Sequence, residues 1–83
     1  MRTAVALAKT DYETLKYTFE ECRRRMRYIK EEDYRTLEAI VNRIKERLNK
    51  ANFFEKFQIR SILKKSLRLL EKAYSNLQAG YEH

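Results

Sequence analysis

The amino-acid sequence predicts an all-α fold, an antiparallel three-helix bundle, and three observations carry that prediction. The chain of 83 residues has one glycine and no proline. Sheets need turns, and turns lean on Gly, Pro, Asn and Asp, so this composition favours long helices with very short connections. Apolar residues recur in alternating steps of three and four, the spacing that lines one face of a helix. Two polar interruptions, at 30–33 and 49–52, divide this pattern into three runs. A chain of this length is expected to form one domain, 1–83, burying only about 60% of its unfolded surface.

The first run is Val5, Ala8, Tyr12, Leu15, Phe19, Cys22, Met26 and Ile29, a heptad seam without a polar break. It predicts a helix over about 4–30. Thr10 followed by Glu13 matches a capping box that would start the helix near Asp11, although the seam before it suggests that the first turns are helical too. The phase then breaks, because Ile29 to Tyr34 is a step of five. Asp33 is the expected N-cap of a second helix over 33–50, and the neighbouring acids suit a helix N-terminus. Its seam is Tyr34, Leu37, Val41, Ile44, Leu48 and Ala51, widened by Ile40. One continuous helix with a skip residue is the alternative. Asn52 with Glu55 is a second capping-box pattern and opens a third helix over 53–78. The apolar set of that helix, from Ile59 to Leu77, spans an arc of roughly 160°, wide enough to pack against two neighbours. Gly80 is expected to end it, with 79–83 as a frayed tail. Short links require an up-down-up arrangement. Long coiled-coil-like seams on so short a chain also favour dimerisation, which doubles the core.

Charge narrows the partners. With 19 basic and 12 acidic residues, the net charge is +7, which favours anionic partners. Residues 1–30 carry 8 basic and 4 acidic groups, 31–52 carry 5 and 5, and 53–83 carry 6 and 3. The excess therefore lies on the first and third helices. On the third, Lys56, Arg60, Lys64, Arg68 and Lys72 recur every four residues, flanked by Lys65. On the first, three of the five basic residues of CRRRMRYIK have acids at helical spacing: Arg24 with Glu20, Arg25 with Glu21, and Arg27 with Glu31. Lys16, Arg23, Arg27 and Lys30 line one flank. These nine residues, Arg23, Arg27, Lys30, Lys56, Arg60, Lys64, Lys65, Arg68 and Lys72, are the candidate contacts for an anion or nucleic acid, and the two flanks are expected to merge into one strip. Tyr17 and Tyr28 stand beside the basic residues, where they would stack on bases or lie over arginine stems.

Phe53, Phe54 and Phe57 fall outside the apolar arc of the third helix. They read either as a cap over the bundle end or as a contact with a second copy or another protein.

Catalytic chemistry is not expected. The seams hold no Asp, Glu, Lys, Arg or His, no Glu-x-x-His occurs, and the single histidine is His83. One cysteine makes no internal disulfide and no cysteine-based metal site. Cys22 sits on the seam as a small hydrophobe. No cofactor, metal or small-molecule substrate is implied. The opening MRTAVALAKTDYE has too short an apolar stretch for a signal peptide, and no apolar run reaches transmembrane length, so a cytoplasmic protein is expected. The function expected is a non-enzymatic helical interaction module that self-associates or docks into a larger complex. The alternative is a protein that grips nucleic-acid phosphates through the basic strip without reading sequence.

Overall fold

Thr3 opens the first helix: its Oγ1 accepts a hydrogen bond from the Ala6 amide at 3.1 Å, satisfying one of the free donors of a helix start. The computed structural model describes residues 3–82. Helix α1 spans Ala4–Arg25, α2 Glu31–Lys50 and α3 Phe53–Tyr81. All three pairs of helices are in contact, giving an antiparallel three-helix bundle measuring 46 × 19 × 16 Å.

The start near Asp11 is corrected. Thr10 lies inside α1, where its hydroxyl donates to the Ala6 carbonyl at 3.0 Å rather than capping an end. Helix α1 also stops earlier than the expected residue 30. Met26 turns to φ −138°, ψ 144°, and residues 26–30 form a non-helical connection, extended at Met26 and Lys30 and bent at Arg27 and Tyr28. The reason lies far away in sequence. Asn76 of α3 accepts the Ile29 amide on its Oδ1 at 2.6 Å and donates its Nδ2 to the Arg27 carbonyl at 3.2 Å. Backbone groups that a helix would have paired are paired by this side chain instead. Ile29 is still buried, which is why the seam seemed to continue through it.

The N-cap position of α2 is Lys30, not Asp33, and no side chain caps it. Glu31, Glu32 and Asp33 occupy the first turn, where the helix dipole favours acids. Helix α3 begins as its sequence indicates, with Asn52 Oδ1 accepting from the Glu55 amide at 2.9 Å. It runs three residues past the expected end, so 79–81 are helical rather than frayed; His83 lies outside the described residues. Gly80 is not a terminator. A Cβ placed on it would stand 2.8 Å from the Tyr28 Cβ, so its lack of a side chain lets the connection cross close against α3.

The core forms two adjoining groups. Leu15, Cys22, Ile29, Leu37, Ile40, Val41 and Ala73 fill one, and Ala8, Ile44, Ala51, Ile59 and Ile62 the other, with Tyr12 and Leu63 packed against both. The α1 and α2 seams and the apolar side of α3 thus pack mainly against the chain's own helices, with Phe19, Leu67 and Leu70 half-buried and Tyr74 49% exposed at the margin. Among the described residues no helix is long and apolar enough to cross a membrane.

Candidate functional site

The surface the core does not use is the outer side of α3. Buried Ile59, Ile62, Ser66, Ala73 and Leu77 define its inward side. Phe53, Phe57, Arg60, Lys64 and Arg68 step by 4, 3, 4 and 4, so they form a second stripe. All five are exposed. Phe53, Phe54 and Phe57 are 69%, 80% and 60% exposed, which sets aside the reading of these rings as a cap over the bundle end. They pack on one another instead. Phe53 meets Phe54 edge-to-face at 5.7 Å and Phe57 at 5.4 Å, a geometry aromatic quadrupoles favour. The Arg60 guanidinium lies 6.0 Å from the Phe57 ring centre, joining the aromatic cluster to the basic stripe. Lys65 and Lys72 are exposed beside the stripe, and Lys56 is half-buried.

The α1 arginines have a different occupation. Arg23 Nη1 donates to the Arg27 carbonyl at 2.6 Å, and Arg23, Arg24 and Arg25 fill the last turn of α1, where cations suit the dipole. The expected pairs are rearranged. Arg24 meets Glu21 at 2.9 Å rather than Glu20, and Arg25 Nε reaches the Glu21 carbonyl at 3.4 Å. Glu31 pairs with Arg35 at 2.9 Å, because the non-helical connection removes the helical spacing to Arg27. The Arg27 guanidinium lies 5.5 Å from the Tyr28 ring centre, and Tyr28 packs at Gly80. Arg23 and Arg27 thus hold the α1–α2 connection, at the opposite end of the bundle from Phe53. Lys30 is exposed at the start of α2. On α3 the exposed basic residues Arg60, Lys64 and Arg68 share one stripe.

One charged residue escaped the seam analysis. Asp11 is 7% exposed, and its carboxylate accepts from Arg47 Nε at 2.7 Å and lies 3.7 Å from Arg43. Its partners lie on α2, more than 30 positions away, so no local pattern reveals it. Both arginines reach solvent, and the cluster reads as a bridge between α1 and α2.

Cys22 is fully buried. Burial pushes its thiol above the ordinary value of 9.0, with Asp33 adding to the shift, so the nucleophilic thiolate is disfavoured. Between α2 and α3, Tyr34 and Tyr74 meet at 5.7 Å over a shallow depression floored by Leu67 and Leu70. Among the described residues no three His, Cys, Asp or Glu side chains gather to hold a metal ion.

A comparison with protein-family models, curated proteins and solved structures finds no match.

Proposed function

We propose that this chain is a non-enzymatic interaction module that makes its contact through Phe53, Phe54 and Phe57. One observation carries the reading: three phenylalanines, each more than half exposed, form a single aromatic cluster on a bundle whose core is otherwise closed. Contiguous exposed apolar groups of this kind mark contact surfaces. The partner is a larger assembly or a second copy, and the setting is cytoplasmic, where a lone free thiol such as Cys22 stays reduced. Light scattering after size exclusion, or capture into an assembly, reads the contact. Phe54→Ala is expected to lower the associated mass or weaken the contact by about tenfold, since buried aromatic anchors carry 2 kcal/mol or more. Its helicity should be unchanged, because the ring is exposed. An unaltered contact would remove these rings from the surface.

The second reading, nucleic-acid binding, is favoured by the exposed row Arg60, Lys64 and Arg68. Replacing Arg60 and Lys64 with Glu should abolish duplex binding and flatten its salt dependence, each lost phosphate contact reducing the log–log slope by about 0.9. Equal binding by the variant would exclude the row.

A further inference from the structure

We infer that the outer face of α3 seats on an anionic lipid surface, with Phe53, Phe54 and Phe57 entering the headgroup region and Arg60, Lys64 and Arg68 lying on the phosphates. This rests on the reading that the phenylalanine cluster is a contact surface, and it gives that surface a lipid partner where the reading above names a protein one. Charge decides first. From Phe53 to Leu70 the helix carries five basic residues and one acid, the half-buried Glu55. A partner covering this face must be negative.

Area decides next. Three rings exposed to this degree offer about 400 Å² of apolar surface, half of the ~800 Å² that each side of a stable protein pair buries. A second copy would have to draw the rest from the exposed residues beside the rings, which include Arg60 and Lys64 and set like charges against like. A lipid surface brings the opposite charge and needs no matching hot spot, since basic residues add attraction one by one.

Shape decides last. The stripe runs along the convex outer side of a helix, and the rings are turned edge-to-face on each other rather than offered as separate stacking platforms. A bilayer interface accepts a convex face, and phenylalanine enters it readily. An amphipathic helix normally commits its apolar side to its own core, and α3 does so at Ile59, Ile62 and Leu77. The stripe is a second apolar and basic side on the same helix.

The test is co-sedimentation of the full chain with vesicles of phosphatidylcholine containing roughly 30% phosphatidylserine, set against pure phosphatidylcholine, with the mass of the free protein measured alongside. Binding to the anionic vesicles should be stronger by about tenfold or more and should weaken with salt. Phe54→Ser with Phe57→Ser, and separately Arg60→Glu with Lys64→Glu, should each reduce it by about tenfold while circular dichroism stays unchanged. In Phe54→Trp the new indole should shift its emission to the blue on binding and be quenched by brominated lipid. Adsorption that ignores the Phe54/Phe57 pair and leaves the indole wet would overturn the inference. So would a duplex that displaces the protein from vesicles and binds the phenylalanine variants equally well. Absence of vesicle binding together with a phenylalanine-dependent oligomer mass would defeat the lipid partner alone. Absence of both would defeat the contact surface itself.

Discussion

Gly80 illustrates how a residue chosen for one property is misread for another. Near a helix end it resembles a terminator, yet it sits within α3 with its Cα against Tyr28. Two effects compete in Gly80→Ala. The helix gains about 1 kcal/mol of propensity, while forcing a methyl group to 2.8 Å from the Tyr28 Cβ costs about 1–3 kcal/mol. The near neighbour is a Cβ, held by its own backbone, and cannot swing aside. The expected result is a net loss of about 1 kcal/mol, lowering Tm by roughly 4–8 °C. A raised Tm would show that propensity wins. Asp11 gives the complementary lesson. A charged residue beside a seam looks solvated until Arg47 arrives from another helix at 2.7 Å. Neither the glycine contact nor the ion pair has a signature within a few residues of its own position.

At the scale of elements, α2 and the start of α3 were legible because their determinants are local: the three- and four-residue spacing from Tyr34 to Leu48, and Asn52 three residues before Glu55. The broad apolar side of α3 correctly implied two neighbours. The end of α1 was not legible, because periodicity registers burial and not backbone conformation, and Ile29 is buried although its segment is not helical. The phenylalanine cluster was legible as an anomaly of the helical wheel; that the rings remain outside the core required the packed bundle. The termination of α1 depends on Asn76, which makes a specific prediction. Asn76→Leu keeps the volume but removes the partner of the Ile29 amide and one of the two donors to the Arg27 carbonyl, which keeps Arg23. A buried donor left unpaired costs about 1–3 kcal/mol, and urea unfolding should show that loss with an unchanged slope. No loss would mean that water or a continued helix takes over the two groups.

For the whole molecule, the response to alkaline pH draws on one buried and one half-buried group. Burial raises both the Cys22 thiol and the Tyr34 hydroxyl, the latter with help from Glu38. A group whose pKa is higher folded than unfolded holds its proton longer in the native state. Its stabilisation is complete below the unfolded value, here the ordinary 9.0 for the thiol and 10.0 for the phenol, and is lost as pH climbs through the folded one. Chemical denaturation across roughly pH 8 to 11 should therefore show falling stability, and Cys22→Ala should flatten the early part of the fall relative to its own starting point. A flat profile in the parent chain would contradict the burial of both groups.

The Asn76 contacts have one more consequence, for the breathing of the fold. The bond from Ile29 to Asn76 spans 47 positions in sequence, so the amide of a connecting segment is tied to the far end of the last helix. Segments between helices ordinarily exchange their amide hydrogens with solvent through small local openings. Ile29 is therefore expected to be released only when α3 leaves the bundle, its hydrogen retained in exchange measurements as long as those of Leu37 or Ile44. Protection of that order would place the connection in the same cooperative unit as the core, as slow to open as the helices it joins; fast exchange at Ile29 would show a local opening instead.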